Sequence, residues 1–344
     1  AVLNCSVAFA GDTLIDREKI FGDSLENLGI DLGLSTTHIY QANTKGGLST
    51  HNHKGRYTGR WDVEFTFDGQ KILSLENSMF YLHGRSSWKH QGGTDPLSVG
   101  SYFGVNTNAY GSREFDIVEL WYQQGFANNK FQLRIGKIDL TGGFECKGCC
   151  VSFDGSRYAN DETTQFMNGA LVNNPTIPFP DEGLGIVGFY NPIEWWYISA
   201  GIADAQSDFR ETGFTTTFHD EDYFFGIAET GFVTEIDSAN GPLTGAYRFG
   251  MWYDPQPKTN SDDADDSEKL YRDDTGYYLS FDQMVYKENS QHQDTQGLGM
   301  FFRYGYAPSK TNDLTNFVSA GVQYQGLLEG RDDGFWPVIN TCAL

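Results

Sequence analysis

Basic residues are scarce in this chain: 24 Lys and Arg stand against 46 Asp and Glu, a formal net charge of −22 over 344 residues. A chain so acidic repels phosphate polyanions, which excludes DNA or RNA as a partner. Long apolar runs are missing as well. No stretch approaches the ~18 consecutive apolar residues of a membrane-spanning helix, so a helical membrane protein is excluded. A membrane protein built from short alternating strands is not, because such strands leave only a weak hydropathy signal. Proline is sparse at 10 residues and cysteine sparser at five, whereas glycine reaches 40 and aromatics 15%. A composition so rich in Tyr and Phe is foreign to disordered chains.

Catalytic signatures are missing too. The chain carries no GxSxG, no HExxH and no P-loop, and nothing calls for a cofactor. The carboxylate pairs Asp62/Glu64 and Asp116/Glu119 have the chemistry of glycoside hydrolysis. In acidic strands, however, such pairs read as wall residues, so the chain is not expected to be an enzyme. His51, His53, His83 and His90 are spread over a loop and a strand without metal-ligand spacing, and no metal site is expected. Cys146, Cys149 and Cys150 crowd into Glu145-Cys-Lys-Gly-Cys-Cys. In an exported protein this cluster reads as a local disulfide, since zinc would need a fourth ligand that the sequence does not supply.

The opening residues 1–10 are apolar and close on Ala8-Phe9-Ala10, the small-x-small pattern of a signal-peptidase site, so they read as the remnant of an export signal. Within residues 11–29 one helix is expected. Asp16 can cap it, Ile20, Phe21, Leu25 and Leu28 recur at helical spacing, and Gly29 stops it.

From Ile30 onward the pattern has period two. Tyr247, Phe249, Met251 and Tyr253 alternate with Ala246, Arg248, Gly250, Trp252 and Asp254, and the same rhythm recurs along the chain. It predicts about a dozen strands, near 30–41, 59–69, 77–85, 113–124, 129–140, 183–190, 194–204, 222–236, 244–254, 275–288, 296–307 and 313–328. Many match the ~9–11 residues with which a tilted strand crosses a bilayer. Their connections alternate between tight turns and long loops at 42–58, 86–112, 141–182, 205–221 and 255–274. A barrel with turns at one end and loops at the other has that asymmetry, while a soluble sandwich mixes them.

In such a barrel the apolar positions face lipid and the alternate ones face inward. The alternate set holds Asp62, Glu64, His83, Arg85, Glu119, Arg134, Glu229, Arg248, Asp282 and Arg303. A packed core cannot carry so many charges, whereas a water-filled lumen can. Glycines at these positions are expected to keep the lumen open. Trp121 and Trp252 share the polar face, and an indole beside charged groups suits a sugar ring. The expected substrate-binding, pore-lining residues are Arg85, Glu119, Trp121, Arg134, Glu229, Arg248, Trp252, Asp282 and Arg303. The acidic run of the 255–274 loop (Asp262, Asp263, Asp265, Asp266, Glu268) lacks the ligand spacing of a calcium loop and reads as a hydrated surface.

Eight short stretches follow one another in order: Glu119-Leu-Trp-Tyr-Gln-Gln, Arg134-Ile-Gly-Lys, Ala200-Gly-Ile, Gly250-Met-Trp-Tyr, Asp282-Gln-Met-Val-Tyr, Gln296-Gly-Leu-Gly, Arg303-Tyr-Gly-Tyr-Ala-Pro and Gly326-Leu-Leu-Glu-Gly-Arg-Asp-Asp. Together they resemble the carbohydrate-selective porins of the OprB family. The resemblance implies an all-β antiparallel transmembrane barrel of sixteen strands with a short N-terminal periplasmic helix. It implies a homotrimer in the outer membrane of a Gram-negative bacterium, through which mono- and small oligosaccharides diffuse passively. It also implies that arginines and acidic residues form the constriction, here Arg85, Glu119, Arg134, Arg248 and Arg303, and that the 141–182 segment is the constriction loop. Residues 30–333 would be the barrel and 334–344 a tail outside the family pattern. That tail contains Pro337 and lacks an aromatic end, so the barrel reads as C-terminally incomplete. A general or anion-preferring porin, or a secreted β-rich sugar-binding protein or hydrolase, remain the alternatives.

Overall fold

The computed structural model describes residues 2–6, 23–89, 92–111, 115–142, 144–146, 149–160, 165–208, 215–218, 221–259, 270–290, 296–326, 334–335 and 338–343. In chain order the strands are β1 (Val2–Ser6), β2 (Ile30–Asn43), β3 (Gly55–Asp68), β4 (Ser78–Lys89), β5 (Asp116–Phe126) and β6 (Phe131–Ile138). The short β7 (Phe144–Cys146) and β8 (Cys149–Val151) follow, then β9 (Gly183–Ile193), β10 (Trp196–Asp204), β11 (Phe224–Ile236) and β12 (Leu243–Asp254). After them come β13 (Lys258–Thr259), β14 (Leu270–Tyr271), β15 (Asp274–Lys287), β16 (Gly297–Tyr306), β17 (Asn316–Gln325), β18 (Gly334–Phe335) and β19 (Val338–Ala343). Helices are short: α1 (Asp23–Asn27), α2 (Gly69–Leu73) and α3 (Gly169–Val172). All twelve predicted strands are present.

The long strands form one antiparallel meander, β2-β3-β4-β5-β6-β9-β10-β11-β12-β15-β16-β17, each strand paired with its neighbour in this order. β1 pairs along β2, from Val2 opposite Asn43 to Ser6 opposite Ile39. At the other end β18 and β19 both pair with β17. The sheet counts 15 strands, and among the described residues no pairing joins its two ends. Within the stretch where a helix is expected, α1 covers Asp23–Asn27 and is followed by Gly29 at φ 83°; residues 7–22, with the expected cap Asp16, lie outside the described ones.

Burial follows the two-residue period. On β12, Arg248, Gly250, Trp252 and Asp254 are buried, while Tyr247, Phe249, Met251 and Tyr253 are exposed. An apolar outer face that stays exposed, here with Phe249 at 48% and Ile135 also at 48%, is the reverse of a soluble sheet and the signature of strands solvated by lipid. Tight turns occupy one end. Asn128 and Asn129 take positive φ between β5 and β6, a conformation Asn tolerates. Between β3 and β4 the Asp68 carboxylate accepts from the amides of Gln70 and Lys71 and so caps α2.

Two of the long segments at the other end fold back into the interior. In residues 92–111, the Asp95 carboxylate accepts from the amides of Ser101 (2.6 Å) and Val105 (2.8 Å) and holds a single π-helical turn over Asp95–Val99. Gln41 of β2 donates to Val105 O at 3.0 Å, and two residues earlier the Phe103 ring meets Phe317 of β17 edge-on at 6.4 Å. One loop therefore touches the strands at both ends of the meander, so the sheet curls round it. The described parts of residues 139–182 pack a second segment inside. Leu140, Phe153 and Ile177 join Val187, Phe189, Tyr197, Phe225, Ile227, Trp252 and Tyr278 of the inner wall in one buried apolar cluster. The two segments also meet each other, through Thr107 N to Met167 O (2.9 Å) and Gly169 N to Gly104 O (3.2 Å).

Candidate functional site

Along the inner wall of β3 to β6, charges of both signs form a ladder. Asp62 of β3 takes the Arg60 Nε at 3.0 Å, His83 Nε2 at 3.0 Å and Arg85 Nε at 2.9 Å. His83 Nδ1 lies 3.6 Å from Glu119 of β5, whose Oε2 accepts from the Trp121 indole at 3.0 Å. Strand pairing puts these residues in line, with Asp62 opposite Arg85 and His83 opposite Glu119. Tyr81 stacks on one face of Trp121 at 4.8 Å, and the Arg134 guanidinium lies 3.9 Å from the ring centroid. Arg134 Nη2 also donates to Gln123 at 3.0 Å. With Tyr81 stacked on it, Arg134 over its ring and only 7% of the residue exposed, Trp121 offers a sugar little open stacking face.

The ladder ends at two carboxylates of the inward segment that the sequence did not single out. Glu182, just before β9, lies 4.0 Å from Arg85 Nη1. Burial and the neighbouring Asp139 carboxylate push the Glu182 carboxyl up to about 7, against the pull of Arg85. Asp139 is raised as well, by burial and by the charge of Glu119, although the Thr141 amide and hydroxyl both donate to it at 2.7 Å.

The other five expected lining residues lie elsewhere, between the wall of β11 to β16 and the inward segment. Arg303 is 0% exposed: its guanidinium donates to Leu171 O (2.9 Å) and Asp154 O (2.6 Å) and pairs with the Asp154 carboxylate at 2.8 Å. Arg248 pairs with Asp282 at 2.8 Å, and Asp282 accepts from the Arg157 amide at 3.3 Å. Glu229 accepts from the Tyr197 hydroxyl (2.6 Å), the Tyr278 hydroxyl (2.8 Å) and the Asp154 amide (2.9 Å). Trp252, 1% exposed, stacks on Phe225 within the apolar cluster. Strand parity assigned all five to the inner face, as found. Direct contact with a permeating solute does not follow, because residues 153–157 and 171–177 pack over them.

The inward glycines also have a different use from the one expected. A Cβ at Gly250 would lie 2.0 Å from the Tyr278 ring, at Gly299 2.0 Å from the Tyr158 ring, and at Gly305 2.0 Å from Thr176 Oγ1. These glycines admit rings and loop atoms against the wall; they do not hold the lumen open. Sequence pattern could have flagged Tyr197 and Tyr278, which alternate inward. Asp154 and Glu182 sit in an aperiodic segment that gives no such signal. The backbones of 144–146 and 149–151 form a ladder with Cys146 opposite Cys149. The side chains of this segment, and with them the expected disulfide, lie outside the described residues, as does the acidic run within 260–269.

Residues 52–335 match the model of a known family, "Carbohydrate-selective porin, OprB family". The chain belongs to that family. The family is one of channels, not enzymes. Among solved structures, the high-pH structure of Pseudomonas putida OprB superposes with a TM-score of 0.71 at 17% identity, covering 92% of this chain and 76% of that one. Among curated proteins, Porin AaxA of Chlamydia muridarum (strain MoPn / Nigg) is 30% identical over 98 residues, 28% of this chain. The match spans only 19% of that relative's length.

Proposed function

We propose that the chain forms an outer-membrane channel of a Gram-negative bacterium, assembled as a homotrimer, that lets mono- and small oligosaccharides diffuse passively. The observation that carries this reading is the ladder Asp62–His83–Arg85–Glu119–Arg134 with Glu182, on the inner wall of a sheet whose outer face is apolar. Alternating donors and acceptors can exchange a sugar's water shell for protein hydrogen bonds, and near-balanced charge attracts neither anions nor cations strongly. Membership of the family supports the same reading. Conductance of the refolded chain in planar bilayers, blocked by glucose or maltose but not by amino acids of similar size, is the expected result. A refolded barrel that conducts no ions refutes it.

A second reading, an anion-preferring porin, draws support from Arg60, Arg85 and Arg134 on one wall. It predicts a reversal potential displaced toward the anion, and a displacement that falls when Arg134 is replaced by Gln.

A further inference from the structure

The inner wall of β11 to β16 carries a group of charges for which diffusion through the channel has no use. Arg303, Arg248, Glu229 and Asp282 are all buried, and every hydrogen bond that Arg303 makes runs to the inward segment. Those bonds reach the carbonyls of Asp154, Leu171 and Val172, residues 131 to 149 positions away in sequence. Glu229, held from two sides by Tyr197 and Tyr278, takes the Asp154 amide; Asp282 takes the Arg157 amide; Ser280 donates to Gly155 O at 2.8 Å. Three strands thus grip one short stretch, residues 154–157, by its backbone. Backbone gripping fixes where that stretch lies while leaving its side chains free to vary.

We propose that Arg303 is a positioning residue, the centre of a clamp that holds residues 154–157 and 171–172 against the β11 to β16 wall and confines passage to the opposite, charged side. A planar guanidinium suits the role, since its fork of donors meets three carbonyls and a carboxylate at once, more acceptors than the three N–H groups of an ammonium can serve. Asp139 and Glu182 lie at the two roots of the clamped segment, so the clamp also sets their placement beside Glu119 and Arg85. The inference rests on the channel reading above.

The test is made on the full chain refolded into bilayers, with single-channel conductance and the block constant for maltose measured together. Arg303→Met is expected to raise conductance about 1.5- to 2-fold and weaken the maltose block about threefold or more, as the segment leaves the wall and widens the path. Arg303→Lys, which keeps a charge against Asp154 but cannot span the carbonyls, is expected to fall between Arg303→Met and wild type. Should Arg303→Met not fold, the nearly isosteric double change Tyr197→Phe/Tyr278→Phe frees Glu229 from its two hydroxyls and is expected to move both quantities the same way. A folded Arg303→Met or double-Phe protein with wild-type conductance and block overturns the clamp. A wild-type protein that conducts but shows no sugar block overturns the carbohydrate reading and leaves the conductance arm of the clamp test intact.

Discussion

Glu182 offers a sharp test of the charge ladder, because its carboxyl, raised to about 7, changes charge near neutral pH. Roughly a tenth of the carboxyls are ionised one unit below that value and about nine-tenths one unit above. Raising the pH from 6 to 8 therefore adds most of one negative charge beside Arg85, Asp139 and Glu119. For an ion passing ~8 Å away in water, one unit charge is worth about 0.5 kcal/mol, or about 2.4-fold in local concentration. Cations gain and anions lose by that factor, so the permeability ratio moves about sixfold at low salt. Screening over a Debye length of ~10 Å reduces it to about twofold at 0.1 M. The assay is the reversal potential under a KCl gradient at several pH values. Cation preference is expected to rise with pH around a midpoint near 7 in the wild type, with the step gone in Glu182→Gln. A step of unchanged size and midpoint in that variant refutes the assignment. The same shift acts on stability. A carboxyl raised from 4.5 to about 7 is disfavoured as an anion in the folded state. Its contribution is therefore fully present below pH 4.5 and is lost as pH rises toward 7.

Two further outcomes test the two faces of the wall. Phe249→Arg puts a charge on the lipid side of β12 and is expected to cost about 2–4 kcal/mol in urea unfolding from bilayers; a cost under ~1 kcal/mol would mean that this face does not meet lipid. Gly299→Ala drives a methyl into the Tyr158 ring and is expected to cost about 1–3 kcal/mol while exposing residues 139–182 to protease. Unchanged cleavage with unchanged stability would mean that Tyr158 does not seat there.

The strands were legible because each obeys a local rule. Tyr247, Phe249, Met251 and Tyr253 must all face one solvent, and a period of two is visible in any ten-residue window. Short elements were not. The turn at Asp95–Val99 and the cap on α2 depend on single carboxylates that resemble any other loop Asp. The inner face was legible in direction only: parity turned Arg303, Arg248 and Trp252 inward. That they meet a loop and not water depends on partners more than a hundred residues away, which no window contains. Glycine misled for the same reason. An inward Gly reads equally well as space for a solute or as space for a ring, and only the arrival of Tyr278 or Tyr158 decides between them.

The Arg303 clamp carries a consequence for how the molecule assembles. Residues 154–172 leave the ribosome well over a hundred positions before the guanidinium that will hold them. Neighbouring strands can zip together early, since each pairs with the next, but the plug has nothing to fasten to until β16 has joined the wall. Contacts of such long sequence separation form late and slowly. A newly folding sheet would thus pass through a more open stage before this segment is drawn against its wall.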